Sequence, residues 1–349
     1  MPSPKKNFYA AELGEEQLTQ GVQPDRGRRR NATSTNSAPL PGQERYIAEV
    51  DEQGLGAVDA VQDESAPSSQ WGEAWKYLRR RPLFWVSAAL IVAAIAIAVA
   101  PQLFTSTDPR ACELTRSLAD AEPGHPFGFN RQGCDIYSRV IYGARASVAV
   151  GVIATIMVTI LGSVIGAIAG YFGGWIDAVL SRVVDVFFAV PLVLAAIVVM
   201  QMFKEYRTIL TVALVLGMFG WVSIARITRG EAMRIKHEEY VQSARALGAS
   251  TWRILTSHVL PNAAAPIIAY ATVALGSFIV AEATLSFLGI GLPPTFVSWG
   301  ADISDAQNSL RIKPGVLFYP AGALGLTVLS FIMMGDVVRD ALDPKARKK

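Results

Sequence analysis

The sequence predicts an all-α, polytopic membrane protein with six transmembrane helices. Hydrophobic residues make up 51% of the 349 residues and charged residues only 17%, whereas about a quarter of the residues in a soluble domain are usually charged. The apolar residues are concentrated in segments of about 20, the length with which a helix crosses the hydrocarbon core. These segments lack the alternation of a membrane-barrel strand, so helices are the expected spanning structure.

The first 70 residues have a different composition from the rest of the chain. They are rich in Pro, Ser, Gln, Glu and Gly and include the basic run DRGRRR at 25–30. Such a stretch buries too little apolar area to offset its chain entropy, so residues 1–70 are predicted to be a disordered tail. No apolar core follows the first lysines, which argues against a signal peptide. Residues 71–82 mix aromatics with arginines, as a short interfacial helix would.

Six apolar segments follow, and each is predicted to be one transmembrane helix. Their bounds are Leu83–Phe104, Ser147–Phe172, Val183–Phe203, Thr208–Thr228, Ala263–Leu288 and Val316–Val338. In the second segment Gly162, Gly166 and Gly170 lie four residues apart, a spacing that lets another helix approach closely. Pro191 in the third segment and Pro320 in the sixth are expected to bend their helices or break the regular hydrogen bonding.

The lysines and arginines predict the orientation of the chain. Basic residues precede the first helix at 79–81, follow the fourth helix, and end the chain in the basic tail 343–349. Both termini are therefore expected in the cytoplasm and the segment 105–142 outside it. One observation conflicts with this rule, because the connection up to residue 146 carries five arginines. They are Arg110, Arg116, Arg131, Arg139 and Arg145.

Cys112 and Cys134 both lie in this external segment. Disulfides persist outside the cytoplasm, so we expect the two cysteines to be paired, with two free thiols as the alternative. Two cysteines and three scattered histidines do not provide the ligands of a structural zinc site, and no metal is expected. The basic clusters lack accompanying aromatic stacking residues, so the expected contact is membrane lipid and not nucleic acid.

The cytoplasmic stretch 239–261 is predicted to form two short helices. Three residues share one face at i, i+4 and i+7; they are Tyr240, Ala244 and Leu247. Gly248 can end the first helix, Ser250 or Thr251 can cap the second, and Pro261 is expected to end it. Physical reasoning leaves two alternatives, a rigid element that contacts a cytoplasmic partner or an amphipathic hairpin that lies on the membrane.

This stretch resembles the cytoplasmic EAA loop of binding-protein-dependent ABC importer permeases. The family pattern is Glu-Ala-Ala, three residues, Gly, and then a spacer that ends in Leu-Pro. The matching positions are Gln242-Ser243-Ala244, Gly248 and Leu260-Pro261. The Glu and the first Ala of the pattern are replaced here.

Other stretches resemble one subgroup, the dipeptide, oligopeptide and nickel permeases, and within it the second (C-type) subunit. Cys134 stands where that subgroup usually has Arg, and the resemblance covers about 75–344. The matching stretches are HPFG at 125–128, GCDIYSR at 133–139, IYGAR at 141–145, Glu282, LSFLGIG at 285–291, Pro293-Pro294, Trp299-Gly300, Gly335-Asp336 and RDALDP at 339–344.

The resemblance implies the transmembrane domain of a type I importer, with a permease core at 143–342. Two permease subunits would form the pathway, two ATPase subunits or domains would supply the energy, and an extracytoplasmic binding protein would deliver the solute. Related permeases are associated with dipeptides, oligopeptides, nickel, glutathione or haem. The residues expected to couple to the ATPase are Glu239, Gln242, Ser243, Ala244, Arg245, Leu247, Gly248 and Ala249.

A second set of residues is expected to be structural. It consists of Asp185, Pro261, Glu282, Gly289, Gly291 and Asp336. The three acids lie near helix ends or motif edges, so hydrogen bonding between helices is a better expectation for them than proton relay. The chain has no phosphate-binding loop, and ATP and Mg²⁺ would therefore be bound by the partner ATPases. No cofactor or catalytic residue is expected in this chain, and its expected location is the cell membrane of a prokaryote.

Two other classes of protein remain as alternatives. An ion-coupled secondary transporter would show ionisable residues at the membrane midplane or paired inverted repeats. A membrane-embedded enzyme would need a nucleophile and base, or a metal set, within the spans, where no His or Cys lies.

Overall fold

The computed structural model describes residues 70–342, and the side chains of 72–342. The predicted tail 1–70, apart from its last residue, and the basic tail 343–349 lie outside the described residues. Twelve α-helices are present in the described part of the chain. They are α1 Gln70–Leu78, α2 Pro82–Val99, α3 Ile136–Phe172, α4 Gly174–Ala189, α5 Leu192–Met202, α6 Ile209–Gly220, α7 Val222–Ile235, α8 Glu239–Ala246, α9 Thr251–Ile254, α10 Leu260–Phe287, α11 Trp299–Ala306 and α12 Gly315–Leu342.

Four helical runs are long and apolar enough to cross a membrane without interruption, namely α2, α3, the run Thr251–Phe287 and α12. Two further pairs qualify if each pair is counted as one bent span. The α4–α5 pair is bent by 82° and the α6–α7 pair by 45°. The chain is therefore an all-α, polytopic membrane protein, with six spans when each bent pair counts as one.

The break predicted at Pro191 is confirmed, because α4 ends at Ala189 and α5 begins after the proline. The third span also begins earlier than the predicted Val183. Pro320 behaves differently, since it lies buried inside α12 without ending the helix.

The helix that contains the second span begins 11 residues before the predicted start at Ser147. The α3 helix begins at Ile136, where the Asp135 side chain caps it by accepting a hydrogen bond of 2.9 Å from the Ser138 N–H. Hydropathy detects the apolar part of a helix, and the first turns of α3 contain polar residues that pack outside that part.

The prediction that Pro261 ends a helix is also wrong. The helix that begins at Thr251 continues through Pro261 to Phe287, so the fifth span begins well before Ala263. A π-helical turn at Leu255–Val259 comes just before the proline. A proline removes one backbone donor and crowds the preceding turn, and the wider π turn accommodates that change.

The glycine series of α3 packs directly against α7, as the spacing predicts. A Cβ atom added at Gly162, Gly166 or Gly170 would lie between 2.4 and 2.8 Å from main-chain oxygens of α7 or of Trp221, the residue just before it. No side chain fits there, so the two backbones are in direct contact. The outer faces of the bundle remain apolar and exposed. Val92 on α2, Val198 on α5 and Leu326 on α12 are each more than half exposed, which suits lipid or another membrane subunit.

Candidate functional site

Two ends of the helix bundle carry the residues that the sequence singles out. We call the end that holds residues 105–135, where α3 begins, the disulfide end. We call the opposite end, where α3 finishes beside residues 236–254, the hairpin end. The hairpin itself consists of α8, the turn at 247–250 and α9.

Local backbone chemistry explains the shape of the hairpin. Gly248 has φ +82°, and the Ala249 N–H donates to the Ala244 carbonyl at 3.0 Å while the Gly248 N–H donates to the Arg245 carbonyl at 3.0 Å. These two bonds form a Schellman motif, which ends a helix at a left-handed residue. The predicted break at Gly248 is confirmed. Of the two candidate caps, it is Ser250 that accepts from the Arg253 N–H, at 3.3 Å.

The hairpin turns large apolar side chains outward. Leu247 is 89% exposed and Trp252 is 74% exposed, whereas Val241 is fully buried against the bundle. Ala244 and Ala249 are only half-buried, so the outward face is narrower than the sequence suggests. Trp252 was not predicted. Ile254, two residues further on, faces the core, and it could have indicated that Trp252 points away from the core because residues two apart lie on different sides of a helix.

Hydrogen bonds connect the hairpin to the end of α3, one directly and two by way of Lys236, which lies just before α8. The Arg245 guanidinium donates to the Tyr171 hydroxyl at 3.1 Å. The Lys236 ammonium donates to the Gly170 carbonyl at 3.0 Å, and the Gln242 amide donates to the Lys236 carbonyl at 2.8 Å. The hairpin is therefore fixed to the bundle on one side and exposed on the other. Glu239, Gln242 and Ser243 are also exposed there.

Two ion pairs connect α4 with α7 near this end. Asp185 pairs with Arg226 at 2.9 Å, and Arg226 also lies over the Phe188 ring, 3.9 Å from its centroid. Asp177 pairs with Arg229 through two hydrogen bonds. The structure thus places Asp185 where it joins two helices. The Asp177–Arg229 pair was not predicted, because no local pattern connects positions so far apart in sequence.

Glu282 is completely buried where α10, α3 and α11 meet. The Ser286 hydroxyl donates to its Oε1 at 2.7 Å, and Ser147 and Ser298 face the same carboxyl. Asp336 differs from the other two acids. It is exposed on α12, and no ion pair reaches it within the described residues, so the structure shows no polar link from it to a neighbouring helix there.

Gly289 and Gly291 build the turn that follows α10. Gly289 has φ +71°, and a Cβ atom on Gly291 would lie 2.4 Å from the Ser286 hydroxyl. The Arg207 guanidinium donates to the Gly289 carbonyl at 3.0 Å. Beyond the turn, the buried Trp299 indole donates to the Val140 carbonyl at 2.8 Å and so fixes α11 against α3.

The disulfide end is an ordered layer over the start of α3. Cys112 and Cys134 are joined by a disulfide in the structure, with their Cα atoms 4.1 Å apart. Asp302 of α11 forms a buried ion pair with Arg139 of α3. Burial raises the pKa of the Asp302 carboxyl, and the Arg139 guanidinium opposes that rise. Within the described residues, no group of three or more His, Cys, Asp or Glu side chains is arranged to hold a metal ion.

The fold and the hairpin together define a membrane-spanning subunit that presents a rigid helical element at one end. The chain belongs to the family of binding-protein-dependent transport system inner membrane components, whose model matches residues 162–348. A second model, the N-terminal transmembrane domain of oligopeptide transport permease C, matches residues 69–121.

Curated relatives agree with this family. The oligopeptide transport system permease protein OppC of Bacillus subtilis is 35% identical over 292 residues, covering 84% of this chain and 95% of the relative. The glutathione transport system permease protein GsiD of Salmonella typhimurium is 40% identical over 278 residues, covering 79% of this chain and 91% of the relative. GsiD of Escherichia coli is 36% identical over the same shares.

The chain is thus a permease subunit of an ABC importer and a multi-pass membrane protein. It is not an enzyme, because ATP hydrolysis in such importers belongs to partner subunits. Membership of the family implies partners of two kinds, an ATPase and a substrate-binding protein.

Proposed function

We propose that this chain pairs with a different, sister permease subunit and that the two line the pathway of an importer for dipeptides, oligopeptides or glutathione-like solutes. Two ATPase subunits or domains bind ATP and Mg²⁺ at the hairpin end. The hairpin end lies in the cytoplasm of a prokaryotic cell together with both termini. A binding protein delivers the solute at the disulfide end, where the Cys112–Cys134 pair would be in an oxidising compartment. The relatives, which are permeases for oligopeptides and for glutathione, support this solute class.

The observation that carries this proposal is the exposed apolar face of an otherwise fixed hairpin. Leu247 and Trp252 are among the most exposed large apolar side chains of the described chain, and they lie on a hairpin whose first helix is bonded to α3 through Arg245. Exposed aromatic and aliphatic residues on a rigid element are typical of the centre of a protein interface. The exposed residues proposed to contact the ATPase are Glu239, Gln242, Ser243 and Leu247 together with Trp252. Ala244 and Ala249 are half-buried beside them, Gly248 sets the turn, and Arg245 connects α8 with Tyr171.

The same contacts supply a route from the ATPase to the spans. When the ATPases close, each hairpin is displaced with them. The Arg245–Tyr171 bond and the Lys236–Gly170 bond then transfer the displacement to the end of α3. Because α3 and α7 are in backbone contact, both helices move together and open the pathway to the opposite side.

The alternative for the hairpin is contact with the membrane surface, where Leu247 and Trp252 would enter the lipid interface. A substitution of Leu247 distinguishes contact with the ATPase from contact with the membrane surface. Leu247→Asp places a charge at the centre of the proposed contact, where desolvation of an unpaired charge is costly. We expect the variant to insert and pair with its sister subunit but to lose most ATPase co-purification and solute uptake.

Leu114→Asp is the matched control. Leu114 is 78% exposed at the disulfide end. Leu114→Asp should therefore co-purify with as much ATPase as the wild type does. Wild-type uptake and ATPase recovery in Leu247→Asp would exclude the hairpin as the coupling element and would favour the membrane-surface alternative.

A further inference from the structure

Four of the five arginines that conflict with the charge rule at the disulfide end fall into two groups, and the fifth, Arg131, is exposed. Arg116 and Arg139 have carboxylate partners, Glu113 at 3.2 Å for the first and Asp302 for the second. Arg110 and Arg145 instead donate to main-chain carbonyls. Neither of these two has a carboxylate partner among the described residues. Their charge is therefore not accounted for by the fold.

Arg110 stands between two adjoining cavities at this end. The larger has a volume of about 620 Å³ and lies between segment 105–135, the α5–α6 connection and the turn after α10. The smaller has a volume of about 440 Å³ and is also lined by Arg145. Arg110 and Phe296 line both. Volumes of about 300–1,000 Å³ are typical of sites for small ligands.

The larger cavity carries an excess of positive charge. Arg110, Lys204 and Arg207 line it without a carboxylate partner in the described chain, while Asp305 is the single acid in its lining. The Arg207 guanidinium donates to the Gln201 side chain at 3.2 Å, and its buried Nε atom has no hydrogen-bond partner within that chain. A concave surface lined by one sign of charge concentrates ligands of the opposite charge.

We propose that Arg110, Lys204 and Arg207 form a binding site for the carboxylate of the imported solute, which we call the basic vestibule. Guanidinium groups bind carboxylates through paired, charge-assisted hydrogen bonds, and every peptide with a free C-terminus carries such a group. The vestibule receives the solute after it leaves the binding protein and before it enters the pathway. This rests on the proposed function for the orientation and the solute class. An acidic side chain of the binding protein offers the same chemistry, so the experiment distinguishes the two sources.

The test compares trialanine with its C-terminal amide in the complete importer reconstituted in proteoliposomes. The affinity of the isolated binding protein for each peptide is measured separately, and each is supplied at saturation. For the double variant Lys204→Gln, Arg207→Gln we expect uptake of trialanine to fall about three- to tenfold, the usual range for a partly exposed charge-assisted contact. Uptake of the amide should stay unchanged. Arg207→Lys should retain part of the trialanine uptake, because it keeps the charge but loses the paired hydrogen bonds. Arg131→Gln, which alters an exposed arginine outside both cavities, should retain all of it.

The possible outcomes lead to different conclusions. An equal loss of uptake for both peptides would show that the cations serve docking of the binding protein or folding. Unchanged uptake of both would show that the solute does not bind the vestibule. Either result overturns the proposal. Uptake of neither peptide by the wild type would instead remove oligopeptides from the proposed solutes, and the comparison would then be made with glutathione and its amide.

A second readout does not depend on transport. In Lys204→Cys, an anionic thiosulfonate reagent should react faster than a cationic one, and trialanine should slow it more than the amide does. Adding Arg207→Gln should remove the preference for the anionic reagent. Equal rates for the two reagents before that change would overturn the site itself.

Discussion

At the scale of single residues, Gly248 fixes the angle between the two helices of the hairpin. Its backbone lies in the left-handed region, with φ +82°, and no atom would come within 4 Å of an added Cβ. A substitution there is therefore opposed by backbone conformation and not by crowding. For residues other than glycine that conformation costs about 1–2 kcal/mol, with Asn among the better tolerated.

We expect Gly248→Val to insert normally but to lose most uptake, because a β-branched residue at this position forces the turn to change and displaces Leu247. Gly248→Asn should retain most uptake. The measurement is solute uptake together with the amount of permease in the membrane. If Val and Asn gave the same uptake, the conformation of this turn would not matter for coupling.

At the scale of helices, the seam between α3 and α7 is the element that makes the bundle rigid near the hairpin. The glycine series brings the backbones together, and the Arg229–Asp177 and Arg226–Asp185 pairs add α4 to the same unit. The larger effect is the packing, since partly exposed ion pairs contribute little to stability.

Gly166→Leu should destabilise the protein strongly, because a Cβ atom at this position would lie 2.4 Å from the Ala225 carbonyl oxygen and the backbone cannot give way. Overpacking typically costs about 1–3 kcal/mol, and contact with a backbone atom puts this change at the upper end. The thermal unfolding midpoint in detergent is the measurement. Gly322→Leu on α12, where nothing lies within 4 Å, is the control. Equal midpoints for the two variants would contradict the close seam.

Helices could be predicted from the sequence where one local property decides them. Uninterrupted apolar runs indicated the spans, and Gly248 indicated the end of α8. The first turns of α3 could not be found in this way, because the Asp135 cap and contacts with α11 extend that helix beyond its apolar part. The prediction that Pro261 ends a helix was wrong for a related reason, because the preceding π turn lets the helix continue through the proline. The outward position of Trp252 depends on which face of α9 meets the core, which is a tertiary property.

At the scale of the whole molecule, the two ends of the bundle differ in kind. The disulfide end is covered by an ordered layer that Cys112–Cys134 and Arg139–Asp302 hold together. The hairpin end exposes the apolar side chains of one short element. This polarity is what the proposed orientation requires, with a soluble binding protein at the first end and ATPases at the second.

The orientation predicts opposite accessibility of two introduced cysteines. In a chain with Cys112→Ser and Cys134→Ser, Asp120→Cys should react with an impermeant maleimide on intact cells, since Asp120 is fully exposed. Ser243→Cys should react only after the membrane is permeabilised. Labelling of residue 120 from the cytoplasmic side alone would reverse the proposed topology.

The one-sided anchoring of the hairpin has a consequence for how such importers can diversify. Val241 and Arg245 contact their own subunit, so their replacement disturbs the permease itself. Ser243, Leu247 and Trp252 face outward. Under the proposed coupling role, these residues alone would need to change for the permease to accept a foreign ATPase, while the interior of the membrane bundle would keep its sequence.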